Sequence, residues 1–153
     1  MVSINEVKDK PAGTSYLVKE GMFGKRMTCE QREGEKYYRF EMKNNFLHAV
    51  HPLGWFKHID IEIDGALIPE EEAFLVLRNQ WFRVSDIHTI GEVFWNLCEP
   101  LAVYIKGGWE LALGVHKVKV TFRTSLLEDT RILDLEGKYE ERVEFAEADM
   151  EMI

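Results

Sequence analysis

Alternation with a period of two dominates the chain. Between Lys36 and Lys43, Tyr38, Phe40 and Met42 fall on one face and Tyr37, Arg39, Glu41 and Lys43 on the other. From His58 to Asp64, Ile59, Ile61 and Ile63 alternate with His58, Asp60, Glu62 and Asp64. Val115–Arg123 sets Val118, Val120 and Phe122 against Lys117, Lys119, Thr121 and Arg123, and Leu101–Ile105 turns Leu101, Val103 and Ile105 inward. Successive side chains of a strand point to opposite faces. These segments therefore read as strands of antiparallel sheets, one face dry and one wet.

The turn residues fit that reading. Asp64-Gly65 predicts a hairpin, because both central positions tolerate positive φ. Asn79-Gln80 predicts a second, of lower quality, between Phe74–Arg78 and Trp81–Arg83. Arg32-Glu33-Gly34-Glu35 joins a strand near Met27–Gln31 to Lys36–Lys43. Gly107-Gly108 and Gly114 bracket a link between the Leu101 and Val115 strands. Ser85 is placed to cap one helical turn, Asp86–Ile90. Short strands at regular spacing predict an all-β fold, an antiparallel β-sandwich or jelly roll, with a closed barrel as the alternative. The C-terminal stretch is ambiguous. Leu135, Tyr139, Val143, Ala146 and Met150 are spaced like a helix face, Val143 and Phe145 alternate like a strand, and Gly137 weakens the helix. The expectation is an arm ordered only against something else.

Composition narrows the class. A chain of 153 residues fits one domain and buries about two-thirds of its unfolded surface, so its core needs no disulfide or metal. The net charge of −8 argues against nucleic acid and against anionic membranes. That charge is uneven. Residues 126–153 hold ten acids and three bases, leaving 17 acids and 16 bases in residues 1–125. The expected division is a β-sandwich domain, 1–125, and an acidic C-terminal arm, 126–153. No apolar leader follows Met1, and the longest apolar runs, Phe74–Leu77 and Leu101–Ile105, are far too short to span a bilayer. With two cysteines and no C-x-x-C pair, the expectation is a cytoplasmic protein with two reduced, buried thiols.

Candidate chemistry is concentrated in Phe46–His58, which holds His48, His51 and His58 beside Pro52, Gly54, Trp55 and Phe56. His48 and His51 have a helical metal-ligand spacing, but Pro52 disfavours helix there, so a polar and aromatic contact loop is the favoured reading. His58, Asp60 and Glu62 share one strand face; a solvated face is favoured over a hydrolase or metal site. His116 has core-side parity and reads as a hydrogen-bonded structural residue. His88 has no evident partner. No phosphate loop, nucleophile elbow or H-E-x-x-H motif occurs. Trp55, Phe56, Trp81, Phe82, Phe94, Trp95 and Trp109 lie mostly in or beside predicted loops. Some fill the core, but four Trp in so small a domain point to a ligand platform or protein interface.

Asp60-Ile-Glu-Ile-Asp64-Gly65-Ala-Leu-Ile-Pro69, Val84-Ser-Asp-Ile87, the Trp95 segment and Gly107-Gly108-Trp109…Gly114-Val-His116-Lys-Val118…Phe122-Arg123-Thr-Ser125 together resemble the small β subunit of bacterial C-glycoside deglycosidases. The resemblance spans roughly residues 36–125. It implies a large TIM-barrel α subunit holding a divalent metal, expected to be manganese, and supplying the acid/base histidine. The substrate is a C-glycoside oxidised to its 3-oxo sugar; the ketone acidifies the neighbouring C–H, and β-elimination breaks the C–C bond to the aglycone. The β subunit is then an accessory sandwich that stabilises or borders the site, with no catalytic residue or cofactor of its own. His51, Trp55, Phe56, Trp81 and Trp109 are the expected subunit-interface or substrate-bordering residues. The chain departs from the family at His51-Pro-Leu-Gly-Trp55-Phe-Lys and after Ser125. Two other readings stand beside this one: a stand-alone carbohydrate-binding sandwich stacking sugars on Trp55, Trp81 or Trp109, and a small metal enzyme using His48, His51 and His58.

Overall fold

The computed structural model of the protein describes residues 17–46, 50–125 and 141–153. They form β1 (Arg26–Arg32), β2 (Glu35–Lys43), β3 (Val50–Pro52), β4 (Phe56–Ile63), β5 (Ala66–Ile68), β6 (Ala73–Leu77), β7 (Gln80–Arg83), β8 (Phe94–Asn96), β9 (Pro100–Lys106), β10 (Gly114–Ser125) and β11 (Glu141–Met152). Three short 3₁₀ turns, Leu53–Trp55, Glu70–Glu72 and Val84–Thr89, are the only helical pieces among the described residues. No helix among them is long and apolar enough to cross a membrane.

Nine strands make one sheet in the order β5-β4-β10-β11-β1-β2-β9-β6-β7, and β3 pairs with β8 separately. Neighbours in the large sheet are antiparallel except β1 and β11. These run parallel and share only two register positions, Arg26 opposite Glu151 and Met27 opposite Met152. At that short junction the sheet curls. The half β5-β4-β10-β11 and the half β1-β2-β9-β6-β7 then enclose one core, in which Ile59, Ile61, Val118, Val120, Phe122 and Met150 meet Tyr38, Phe40, Met42, Leu75, Leu101, Val103 and Ile105. The fold is all-β and sandwich-like, and the inward faces of β2, β4, β9 and β10 are those the alternation predicts.

Hairpin turns carry the backbone strain. Glu33-Gly34, Asp64-Gly65 and Arg78-Asn79 each place two successive residues at positive φ, between 50° and 84°. Such turns match the twist of the strands they join. The β6–β7 turn is thus centred one residue before the predicted Asn79-Gln80. The Val84–Thr89 turn forms where a helical turn was expected, but Arg83 precedes it and no side chain caps its start; Thr89 Oγ1 instead donates back to Asp86 O at 2.7 Å.

One end of the sandwich is tied by a buried amide. Asn44 is fully buried. Its Nδ2 donates to Trp95 O at 2.7 Å, and its Oδ1 accepts the Phe46 N–H at 3.1 Å. Its backbone N–H donates to Glu99 O and its carbonyl accepts the Cys98 N–H. A buried amide with all these groups paired fixes β2, β8 and the turn between β8 and β9 together without an unsatisfied polar group.

Two expectations need correction. The C-terminal arm is not an appendage over its whole length. Residues 126–140 lie outside the described residues, but Glu141–Met152 is a sheet strand, registered against β10 from Ser125 opposite Glu141 to Gly114 opposite Met152. Its last three acids sit on alternate positions. Glu147, Asp149 and Glu151 face outward while Ala146, Met150 and Met152 enter the core. The helix-spaced set of Val143, Ala146 and Met150 therefore does not form one face. Cys29 and Cys98 are free and exposed rather than buried; Cys98 sits in the turn before β9 at φ 62°.

Candidate functional site

The structure separates the five residues expected at a contact surface. Phe56 has no exposed surface and His51 is 2% exposed. Their rings stack at 4.2 Å with a 5° interplanar angle, and both pack on Phe46. Phe56 also meets Phe122 at 5.3 Å. These two are core residues, not contact residues. Strict alternation begins at His58 and hides this, because the β4–β10 register slips by one residue: Arg123 lies opposite His58 but Thr124 lies opposite Phe56. Lys57 is the extra residue of a β-bulge, which returns Phe56 to the inner face.

Trp55 is half-buried beside His51, with ring centroids 5.7 Å apart. It adjoins the C-terminal end of β10. Trp109 precedes the N-terminal end of β10, and that twelve-residue strand spans roughly 40 Å at about 3.4 Å per residue. Trp109 packs on Tyr38 at 5.1 Å. Its carbonyl accepts the Tyr38 hydroxyl at 3.0 Å, and the same hydroxyl accepts the Leu111 N–H at 2.9 Å, so the loop after β9 is pinned to β2. Trp81 lies elsewhere again, 39% exposed on edge strand β7.

The histidines do not converge. His48 falls outside the described residues. His51 is in the core, where Nδ1 donates to Pro52 O at 2.9 Å. His58 is on the outer face of β4, 2.9 Å from Glu70 Oε1. Among the described residues no group of three or more His, Cys, Asp or Glu is arranged to hold a metal ion. His116 has Nδ1 2.6 Å from Asp64 Oδ2 and Nε2 2.6 Å from Ala112 O. Both oxygens only accept, so both ring nitrogens donate and the imidazolium is favoured. The Asp64 hydrogen bond, then that to Ala112, raises the His116 pKa above its ordinary value. The His116 bond, then the one from the Lys117 N–H, lowers that of Asp64. This pair ties the β4–β5 turn to the loop before β10, as a structural histidine does.

The two outer faces differ in chemistry. On β4, β10 and β11, cations stand beside carboxylates. Lys119 lies opposite Glu62 and Glu147, and Lys117 opposite Asp149; Arg123 Nε reaches Asp60 Oδ2 at 3.0 Å. Phe145 on this face is covered by the ammonium groups of Lys19 and Lys119, 3.8 Å and 4.7 Å from its ring centre.

On β1, β2, β9, β6 and β7 the outward positions are aromatic and arginine-rich. Arg39 lies opposite Tyr104, Tyr104 opposite Phe74, and Phe74 opposite Arg83, while Trp81 pairs with Val76. Trp81 meets Tyr104 at 4.5 Å, Tyr37 at 5.7 Å and Phe74 at 5.9 Å. The Tyr104 hydroxyl receives bonds from Arg32 and Arg39 and donates to Glu30. Alternation alone assigns this face to water, because Tyr37 shares it with Arg39, Glu41 and Lys43. The signal that identifies it is that the outward positions of four successive strands are aromatic.

A scan of the sequence against family models matches the C-glycoside deglycosidase beta subunit family over residues 15–126. No curated protein matches the chain. The matched segment covers well over half of the sequence and contains every strand except β11. The chain belongs to the C-glycoside deglycosidase beta subunit family.

Proposed function

We propose that this chain is the accessory β subunit of a heteromeric C-glycoside deglycosidase. Its catalytic partner is a TIM-barrel α subunit with a divalent metal, manganese, at its centre. The complex takes a 3-oxo-C-glycoside and cleaves its C–C glycosidic bond by β-elimination. The single observation behind this reading is the family match over residues 15–126. The placement of the titratable groups is compatible with it: His58, Asp60, Asp64, Arg123 and His116 are engaged in surface pairs that stitch strands together. In the complex this chain stabilises the barrel or borders its site; Trp55, Trp81 and Trp109 are the tryptophans that retain exposed surface, and they lie on different parts of the fold.

Co-expression with a TIM-barrel α subunit tests the proposal. The two chains are expected to co-purify. Calorimetry of the isolated chain with monosaccharides and C-glycosides is expected to give no heat of binding. Tight sugar binding by the isolated chain, with no association to the barrel, would instead establish a stand-alone carbohydrate-binding sandwich.

A further inference from the structure

We propose that the outer face of β1-β2-β9-β6-β7 is the docking surface for the catalytic subunit, and that the partner meets it with carboxylates around an apolar patch. This assignment rests on the heteromeric reading above. Its first support is composition. Trp81, Tyr37, Tyr104 and Phe74 form one contiguous aromatic cluster, in which Trp81 is exposed, Tyr37 and Phe74 are half-buried and Tyr104 is buried beneath its neighbours; Arg32, Arg39 and Arg83 hold their guanidinium groups 5.4–5.8 Å from its ring centres. Trp, Tyr and Arg are the residues that dominate binding energy at protein interfaces.

Charge gives the second support and fixes the partner's chemistry. Arg32 and Arg39 are neutralised by Glu30 and Glu41. Arg83, Lys106 and Lys43, which flank the aromatic cluster on the same face, make no ion pair among the described residues. In the sheet register these three cations lie opposite Phe74, Tyr37 and Pro100, with no acid across from them, in a chain of net charge −8. On the opposite outer face Lys117 lies across from Asp149 and Lys119 across from Glu62 and Glu147, and Arg123 is paired with Asp60. The aromatic face is therefore the one electrostatically prepared for an acidic partner. The β11 face, with Glu147, Asp149 and Glu151 outward, would repel the same surface.

Binding of the full chain to its TIM-barrel α subunit, measured by calorimetry, tests this with Trp81→Ala, Arg83→Glu and, on the opposite face, Lys119→Glu. Trp81 and Arg83 are exposed, so both variants are expected to melt within a few degrees of the wild type. Trp81→Ala and Arg83→Glu are each expected to weaken association by about tenfold or more, while Lys119→Glu leaves it unchanged. Raising salt from about 0.05 to about 0.5 M is expected to weaken the wild-type complex more than the Arg83→Glu complex. Unchanged affinity in both face variants, or loss in Lys119→Glu alone, overturns the docking face and leaves the heteromer intact. Failure of the wild-type chain to bind any barrel overturns the heteromer and the face together. Self-association that Arg83→Glu abolishes places a second copy there and overturns the assignment to the catalytic subunit.

Discussion

Phe56 shows how a single bulge decides a residue's role. Phe56 and His51 lie in a segment whose composition looks like a binding loop, and both are buried. Replacing Phe56 by Ala removes a ring packed against Phe46, His51 and Phe122. The expected loss is about 3–5 kcal/mol of folding stability, measured by urea denaturation. A loss below about 1 kcal/mol would place Phe56 at the surface instead. His116 gives a pH prediction. Its pKa is raised in the folded chain, so its contribution is complete below the unfolded histidine value, about 6.5. That contribution is lost as pH rises through the folded value. Asp64 has the opposite sign: its contribution is present above the unfolded carboxylate value and lost as pH falls through its lowered one. The melting-temperature difference between wild type and His116→Gln is therefore expected to be largest between those limits and to shrink on the alkaline side. A difference that grows with alkaline pH would contradict the pairing.

At the scale of elements, the strands with unbroken alternation were legible from the residues alone: β2, β4, β9 and β10, with their inward faces. So were the Asp64-Gly65 hairpin and the link held by Gly107 and Gly114. What was hidden depends on pairing. The β4 bulge at Lys57 follows from the register with β10, which no local pattern reveals. The strand β11 was obscured because Glu144 and Ala146 alternate with Phe145 and Glu147, so the polarity pattern does not mark the inner face. Glu144 is buried opposite Phe122, and Phe145 is outward under two lysines. The aromatic outer face was missed for a related reason. Tyr37, Phe74, Trp81 and Tyr104 are distant in sequence and meet only when four strands are laid side by side. Removing residues from Glu141 onward tests the placement of β11. That deletion exposes the long edge of β10 and opens the β1 junction, so the chain is expected to lose cooperative thermal unfolding and to aggregate. A truncated chain that melts like the full one would restore the view of this segment as an appended arm.

At the scale of the whole molecule, charge is divided between two outer faces. The β11 side carries acids across from its lysines and in excess of them, and the β7 side carries clustered aromatics with cations that have no acid across from them. The chain belongs to a family of enzyme subunits, and that membership fits a sandwich that works by assembly. The most direct test is aglycone release from a 3-oxo-C-glycoside, assayed with the isolated chain, the isolated barrel and the two together in the presence of manganese. The account predicts no release by this chain alone, and release by the mixture well above that of the barrel alone. Cleavage by the isolated chain, or no gain on adding it to the barrel, would contradict its role as an accessory subunit.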